Sequence, residues 1–470
     1  MDNVVIAYKG YLKHLETYKD KYSPNCFELK IYGEGKNGVI SPSADVVKQL
    51  IARNREKVVD EIKQGNRDVA KLLEIISEIS LNSVAERLMD FTFIGVRITT
   101  DCNLYGRDRC KYCDQKHYKG KLDISILKEI IESISYKGRR KGINASLSGG
   151  EPLLLFDDLF GRGELVKCFY DNGFVVNMNS NLHLITPQNV LPIINSGLAS
   201  IHTSFDSSVE YIHDKLVCNG AMNRAIEGIK SIQAIKQIFG VCYPVLHINV
   251  VATKENLLLY DKLLEFLLQY RIPQKVIGLG TPYTNPGRMD LSPHLIPLGG
   301  ERNKDLMPSA DDWNVFEKEI LPRCRDIWNS YLIRNGIELS RKNSFDVVHY
   351  YSNPLKFNSV DKVNEKKEFK KCYIAPTQIY IVNNGDCYAC GCHADIKDAP
   401  VLGNIFVDSV DEIIQRNIHF LTRELPHPKY CIKCAKNTRK LNMMVENRLI
   451  ANIQSWIEQE EKTKEYEGCL

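Results

Sequence analysis

The stretch that decides the fold is FTFIGVRITTDCNLYGRDRCKYC, which runs from Phe91 to Cys113. Its first part, Phe93 to Thr99, is apolar and rich in residues that favour β-structure, so it predicts a buried strand. The polar loop that follows carries three cysteines: Cys102, Cys110 and Cys113. The stretch therefore predicts three thiols on one loop at the end of one strand.

The number of thiols on this loop indicates the group that they bind. A structural zinc ion normally takes four protein ligands, whereas three thiolates on a four-iron cluster leave one iron open. A zinc site whose fourth ligand lies elsewhere in the chain is the alternative. With Tyr112 before the last cysteine, the loop resembles the cluster loop of the radical S-adenosylmethionine (SAM) enzymes. That family has CxxxCxxC and this chain has C-x7-C-x2-C, an insertion that a surface loop tolerates at little entropic cost.

Composition narrows the class of protein. A chain of 470 residues is longer than a domain with a single hydrophobic core, so we expect two or three domains. The 62 basic and 58 acidic side chains are nearly balanced and form no basic block, so we do not expect nucleic acid as a partner. The N-terminal segment carries charges where a signal peptide is apolar, and no apolar run reaches membrane-spanning length. We therefore expect a cytoplasmic protein without a membrane partner, whose 15 cysteines bind metal rather than form disulfides.

Between residues 92 and 291 the chain alternates β-rich runs with amphipathic helices, which predicts an α/β fold. The predicted strands are Phe93–Thr99, Ile143–Leu147, Phe174–Met178, Ala199–Phe205, Leu246–Ala252 and Lys275–Leu279. The predicted helices are Ile124–Tyr136, Gly163–Asn172, Pro187–Ser196, Ala221–Ile238 and Asn256–Tyr270. Strands joined by helices imply a parallel sheet, with reactive side chains at the carboxyl ends of the strands. The family resemblance implies the same fold, a partial (β/α)6 TIM-like barrel.

The end of the second predicted strand carries another motif of that family. Ser148 is followed by Gly149-Gly150-Glu151-Pro152, which is similar to the GGEP motif that holds the amino group of SAM. Glycines allow a ligand to approach the backbone closely, and a carboxylate accepts hydrogen bonds from an ammonium group. The resemblance therefore implies that these four residues, together with Tyr112, belong to a SAM site.

The next two strand ends are polar and resemble further SAM-contacting positions. The third strand ends in Asn179-Ser180-Asn181, similar to the T-N-G position of the family. The fourth ends in Ser204-Phe205-Asp206, similar to its S-x-D position. The resemblance implies that Asn179, Ser180, Ser204 and Asp206 contact SAM. Helix capping and loop hydrogen bonds are the alternative roles for Asp206 and for the nearby His213.

One departure from the family concerns a positive charge. The stretch from His213 to Val217 resembles H-D-x-x-R, but valine stands where the family has the arginine that meets the SAM carboxylate. The resemblance then leaves Lys215 or Arg224 to replace it. Arg288, after the sixth predicted strand, is expected to face the mouth of the barrel and meet an anion or cluster, or else to be solvated.

A second group of cysteines lies near the C-terminus. The spacing C-x12-G-x4-C, from Cys372 through Gly385 to Cys390, is followed by a CxxC. This pattern resembles the SPASM extension, and its shortened twitch form fits better because only Cys469 follows the CxxC. The resemblance implies one auxiliary four-iron cluster, with ligands Cys372, Cys390, Cys431 and Cys434. A zinc ribbon is the alternative.

Two cysteines next to this group have no fixed role. Cys387 and Cys392 lie on the predicted return strand, where either could substitute as a ligand. They are also candidates for small core residues or, as a catalytic role, for a hydrogen donor to a substrate radical.

The remaining regions complete the expected domain organisation. Residues 1–91 are predicted to be mostly helical after a hairpin, and to pack on the barrel or to recognise a leader peptide. Residues 92–291 form the barrel, 292–371 a helical linker, 372–435 a small α+β auxiliary-cluster domain and 436–470 a C-terminal helix.

The resemblance also implies an activity. Such enzymes reduce SAM to methionine and a 5′-deoxyadenosyl radical, which abstracts hydrogen from an unactivated C–H bond. The electron comes from a flavodoxin- or ferredoxin-type donor. We expect a ribosomally made peptide or a protein side chain as substrate. A small aminocyclitol or sugar intermediate and a non-catalytic metal-binding interaction protein are the alternatives.

Overall fold

A computed structural model gives the architecture for most of the chain. The structure describes residues 60–61, 63–65, 93–105, 110–113, 120–136, 143–239, 241, 243–271, 290–298, 301–340, 344–345, 375, 378–394, 396 and 398–418. The predictions for most of residues 1–91, for the strand Lys275–Leu279 and for the C-terminal helix lie outside the described residues. None of the described helices has the length and apolar character needed to cross a membrane.

The described strands and helices alternate as the sequence predicts. The strands are β1 Phe93–Thr99, β2 Ile143–Gly149, β3 Phe174–Asn179, β4 Ser200–Ser204, β5 Val245–Ala252, β6 Ser292–Pro297, β7 Gln378–Ile381, β8 Asp386–Tyr388 and β9 Gly403–Asn404. The helices are α1 Ile124–Tyr136, α2 Phe156–Leu159, α3 Leu165–Asp171, α4 Val190–Asn195, α5 Glu210–Leu216, α6 Ala221–Phe239, α7 Tyr260–Leu268, α8 Ala310–Val315, α9 Leu321–Arg334, α10 Gly391–Ala394 and α11 Val410–Ile418. The predicted α/β class is confirmed.

The chain divides into two compact units, and the boundary between them falls inside β1, after Val96. The first unit contains residues 97–124 and 144–366. Its strands follow the order β6-β5-β4-β3-β2-β1, and the pairs from β3 to β6 are parallel. Parallel neighbours joined by helices give the order expected of a (β/α) barrel.

The sixth parallel strand differs from the sequence prediction. Ser292–Pro297 pairs with β5 along six residues, and it belongs to the stretch that the sequence analysis treats as linker. After β6, the described part of that stretch contains a long helix: α8 and α9 are joined by a π-helical segment, Phe316–Ile320, which agrees with the helix predicted from Ala310 to Asn335. Ser309 and Asp312 form a capping box at its start.

A buried ion pair fixes the start of β5 in the first unit. The Lys236 ammonium lies 2.8 Å from the Asp290 carboxylate, and both side chains are almost fully buried. Asp290 also accepts hydrogen bonds from the Leu246 backbone and from Gln233. The pair therefore has the further hydrogen bonds that a buried charge requires.

The second unit contains residues 38–96, 125–143 and 367–470. The first half of β1 pairs in parallel with β7, which continues through the antiparallel strands β8 and β9. A turn at Gly385, with φ +86°, joins β7 to β8 as predicted. The return strand is shorter than predicted and holds only Cys387 of the three cysteines: β8 ends at Tyr388, and the chain then bends into α10.

Candidate functional site

The three loop cysteines lie on one cavity of about 400 Å³ in the first unit. The cavity is built at the carboxyl ends of the strands, where β1 contributes the cysteine loop. Its lining residues are Cys102, Leu104, Cys110, Tyr112, Cys113, Ser148, Gly149, Gly150, Glu151, Asn179, Ser180, Asn181, His183, His202, Ser204, Val217 and Asn249. The cavity thus lies at the strand ends where the sequence predicts reactive side chains.

The cysteine loop is attached at both ends to other parts of the unit. Near its start, the Glu151 backbone N–H donates to the Asp101 carbonyl oxygen at 2.8 Å. Near its end, the Lys111 N–H donates to the Leu216 carbonyl oxygen at 2.8 Å. The Tyr112 hydroxyl donates to Asp206 Oδ2 at 2.5 Å. These bonds hold the cysteine positions relative to β2, α5 and the segment after β4.

An apolar cluster packs behind the cysteines. Leu104, Leu216, Val217, Cys218 and Ala221 are buried, and Cys102, Cys110 and Tyr112 pack against them. This wall excludes water from one side of the thiols, which strengthens electrostatic interactions there.

Gly149 and Gly150 are required by backbone packing. A Cβ at Gly149 would lie 2.0 Å from the Thr99 carbonyl oxygen, and a Cβ at Gly150 would lie 2.1 Å from that of Asp101. Gly149 also has φ +150°, a conformation that other residues rarely adopt. The Gly150 N–H donates to the Thr99 carbonyl oxygen at 3.0 Å. Because they lack a Cβ, these glycines allow their own backbone to pack against Thr99 and Asp101, the segment that leads into the cysteine loop.

Glu151 is a buried carboxylate with three fixed donors. Oε1 accepts from the Leu153 N–H at 3.0 Å and from the Ser180 hydroxyl at 2.9 Å. Oε2 accepts from the Asn181 N–H at 2.7 Å. Burial nevertheless raises the pKa of Glu151 to about 7. A cation bound in the cavity would favour the ionised form.

The thiols suit a strongly cationic ligand. Burial is the main cause that raises the pKa of Cys102 to about 11 and that of Cys110 to about 12. Because a thiolate is the form that binds metal, these thiols need a metal centre to be deprotonated. Among the described residues, no group of three His, Cys, Asp or Glu side chains converges on one ion. Thiols that each bind a different iron of a cluster do not need to converge, so the donor set fits a four-iron cluster.

Two predicted SAM contacts do not lie on the cavity. Asp206 is 1% exposed, and its oxygens accept from Tyr112 and, at 2.9 Å, from the Val251 N–H. It therefore positions Tyr112, and the predicted direct contact is not supported. Lys215 is likewise not a lining residue, because its ammonium pairs with Glu255 at 2.7 Å on the surface.

The other predicted residues fall into three groups. Tyr112, Gly149, Gly150, Glu151, Asn179, Ser180 and Ser204 line the cavity. Pro152 opens the short 3₁₀ helix behind Glu151, where its fixed φ suits the first turn. Arg288, Cys372, Cys431, Cys434 and the side chain of Cys392 lie outside the described residues.

The two described cysteines of the second unit differ in exposure. Cys387 is fully buried on β8, and burial raises the pKa of its thiol to about 12. This environment is typical of a small core residue. Cys390 is partly exposed in the bend before α10, a position compatible with its predicted role as a cluster ligand.

The motifs assigned no SAM contact to four of the cavity residues: Asn181, His183, His202 and Asn249. His202 and Asn249 lie on β4 and β5, and the ring of His202 lies 4.6 Å from that of His247, its partner in the strand register. The sequence signal that could have identified His202 and Asn249 is the polar residue at every second position of these two strands.

Two family models match this chain. Residues 96–290 match the radical SAM superfamily, and residues 372–435 match SPASM, an iron-sulfur cluster-binding domain. The chain therefore belongs to the radical SAM superfamily and carries a C-terminal SPASM domain. These two domains imply a four-iron cluster with SAM and an auxiliary iron-sulfur cluster. The comparison with curated proteins finds no match.

Three solved structures are among those similar to this chain. SuiB of Streptococcus suis bound to S-adenosylmethionine is 14% identical, with a TM-score of 0.46; the match covers 73% of this chain and 65% of SuiB, less than two thirds of its length. The anSMEcpe structure with AdoMet and the Kp18Cys peptide is 14% identical, with a TM-score of 0.46 and coverage of 78% and 97%. BtrN with AdoMet and 2-DOIA is 11% identical, with a TM-score of 0.31 and coverage of 71% and 87%.

Proposed function

We propose that this enzyme cleaves SAM in the cavity of the first unit and modifies a peptide or a protein side chain. The observation that carries the proposal is that one cavity is lined by Cys102, Cys110, Cys113 and the buried carboxylate of Glu151. When bound there, a reduced four-iron cluster and SAM supply a 5′-deoxyadenosyl radical that abstracts a hydrogen atom.

The chain's own residues bind and orient the cofactors. Glu151 accepts hydrogen bonds from the SAM ammonium group. The hydroxyl of Ser180 donates to the carboxylate of Glu151 and holds it in place. The Tyr112 side chain fixes the end of the cysteine loop through Asp206. Leu104 and Val217 exclude water on the side of the thiols.

The auxiliary cluster belongs to the same proposal. We assign Cys372, Cys390, Cys431 and Cys434 as its ligands, which leaves no open iron and favours electron transfer over substrate binding. A flavodoxin- or ferredoxin-type protein supplies the electrons. The cytoplasm, where such donors work, is the proposed location.

The first experiment measures 5′-deoxyadenosine and methionine after anaerobic reconstitution, with SAM and dithionite. We expect both products, and we expect none from the triple variant Cys102→Ala/Cys110→Ala/Cys113→Ala. Cys168→Ala is the matched control, because Cys168 lies on α3 and is not a lining residue of the cavity. If SAM stays intact with the reconstituted protein, the proposal is contradicted and the alternative of a non-catalytic metal-binding protein is favoured.

The substrate class needs a separate test. The peptide proposal rests on the SPASM domain, since enzymes with this extension mostly modify ribosomally made peptides. SuiB has been solved with the precursor peptide SuiA. Mass spectrometry of a short peptide encoded beside the gene is expected to show a crosslink, an epimer or an oxidation. Turnover of an aminocyclitol with no change in any such peptide would support the small-molecule alternative.

A further inference from the structure

The cavity matches only one of the two charges at the amino-acid end of SAM, which carries an ammonium and a carboxylate on the same carbon. Among the described lining residues, Glu151 is the one carboxylate, and none is a lysine or an arginine. Val217, where the family has its arginine, presents an apolar side chain. The described wall therefore receives the ammonium group but offers the carboxylate no cation in direct contact.

A chain of hydrogen bonds leads from Glu151 to the guanidinium of Arg224. The Asn181 N–H donates to Glu151 Oε2 at 2.7 Å, and Asn181 Oδ1 accepts from the His183 N–H at 3.0 Å. His183 Nδ1 in turn faces Arg224 Nε at 3.4 Å. A carboxylate and a guanidinium are thus connected through Asn181 and His183, which both line the cavity.

The contact with Arg224 determines which ring nitrogen of His183 carries the proton. Burial, followed by the charge of Arg224, lowers the pKa of His183 to about 4, so the imidazole is neutral. Because Nδ1 accepts from Arg224, the proton lies on Nε2, and the ring of this lining residue is a hydrogen-bond donor. The guanidinium adds its positive charge from behind the ring.

Arg224 is held in position by two further contacts at the start of α6. Its Nη2 donates to Cys218 Sγ at 3.1 Å and to the Asn219 carbonyl oxygen at 3.0 Å. Cys218 belongs to the apolar cluster on which Cys102 and Cys110 pack. The same local structure therefore places the guanidinium and supports the cysteine loop.

We propose that His183, positioned by Arg224, binds the carboxylate of SAM and replaces the arginine that this chain lacks at position 217. This inference rests on the proposed SAM site. His183 makes the contact, and Arg224 acts through it as a positioning residue and as a source of positive charge.

The test measures the dissociation constants of SAM and of decarboxylated SAM by equilibrium dialysis against the anaerobic holoenzyme. Arg224→Gln and His183→Ala are expected to weaken SAM binding about tenfold or more, because a charge-assisted hydrogen bond is lost. Neither variant should change the affinity for decarboxylated SAM, which has no carboxylate. Lys230→Gln is the matched control, since Lys230 lies on the same helix and pairs with Glu227. It should bind both ligands as the wild type does.

A second variant separates a binding role from a folding role. Adding Val217→Arg to Arg224→Gln returns an arginine to the cavity wall and is expected to restore SAM affinity. Equal weakening for both ligands, or no weakening for SAM, would overturn the inference. A wild-type enzyme that binds neither ligand would instead contradict the proposed function.

Discussion

The hydroxyl of Tyr112 donates a hydrogen bond to the carboxylate of Asp206 at 2.5 Å, and it joins residues that are 94 positions apart in the chain. Burial raises the pKa of Asp206 to about 6 and raises the pKa of Tyr112 well above its usual value. The bond attaches the end of the cysteine loop to the segment that follows β4. The aromatic residue of the cluster loop therefore acts as a structural link as well as a wall of the cavity.

Removing this link should destabilise the enzyme. Tyr112→Phe leaves a buried carboxylate oxygen without its donor, and we expect the free energy of unfolding to fall by about 1–3 kcal/mol. Denaturant unfolding of the cluster-free protein measures this change. Tyr211→Phe is the control, because Tyr211 is 72% exposed, and it should have no effect. Equal stability of the two variants would show that the link is dispensable.

The glycine pair gives a second prediction. Gly149→Ala places a methyl group 2.0 Å from the Thr99 carbonyl oxygen, so the backbone at the base of the cysteine loop must move. We expect a loss of about 2 kcal/mol or more, together with weaker iron binding. In Gly336→Ala the new methyl group meets no atom within 4 Å, although φ is +64°. That control should cost about 1 kcal/mol and leave iron binding unchanged, and the same iron content in both variants would refute the prediction.

The acidity of Glu151 predicts how SAM binding depends on pH. The pKa of about 7 in the ligand-free protein lies above the usual value, so the carboxyl group is increasingly protonated as the pH falls below 7. Because the SAM ammonium requires the ionised form, affinity should be highest above pH 7 and decrease up to about tenfold per unit below it. Calorimetry in buffers of different ionisation enthalpy should also detect proton release on binding near pH 7.

Glu151→Gln provides the matched control for this profile. An amide retains an acceptor oxygen but has no carboxyl group to titrate, so the variant should bind SAM more weakly and its profile should be flat over the same range. A wild-type affinity that does not change between pH 6 and 8 would argue against ionisation of Glu151 as the cause.

Iron content tests the cluster assignments. We expect about eight iron per chain after reconstitution and about four in the triple variant of Cys102, Cys110 and Cys113. Cys168→Ala should retain the wild-type value. About twelve iron would mean that further residues, with Cys387 or Cys392 among them, hold a third cluster. Zinc in place of iron would contradict the radical mechanism.

The buried ion pair of the first unit predicts a large effect far from the cysteines. Lys236→Met leaves the buried carboxylate of Asp290 without its cation, and we expect a loss of about 3–5 kcal/mol in the free energy of unfolding. Lys262→Met, which removes an exposed pair with Glu265, should cause no measurable change. A small effect of Lys236→Met would indicate that water reaches Asp290.

The sequence predicts β1 to β5 well because their apolar residues face helices and recur with the strand period. It places the sixth strand elsewhere because Ser292–Pro297, SPHLIP, begins and ends with residues of low β-propensity and contains two prolines. Proline is tolerated there because β6 is the first strand in the described sheet order and β5 is the only described strand that pairs with it. Only the pairing with β5 reveals this strand.

The sequence predicts those parts of the candidate site whose residues lie close together in the chain. The run from Gly149 to Glu151 was found in this way. Lys215 is predicted to replace the arginine missing at position 217, but its ammonium pairs with Glu255, which is 40 residues away and is indicated by no local pattern. For Asp206 the structure shows the alternative role, loop hydrogen bonding, and its partner Tyr112 comes from the distant cysteine loop.

The attachment of the cysteine loop at both ends also affects how a sequence pattern for such loops should be written. Asp101 is bonded to the backbone of Glu151 on one side, and Lys111 and Tyr112 are bonded to Leu216 and Asp206 on the other. The positions of Cys102 and Cys113 are therefore set by these bonds and not by the number of residues between the cysteines. A search pattern that demands a fixed spacing would reject this chain, whereas one that requires the bonded partners and lets the interval vary would retain it.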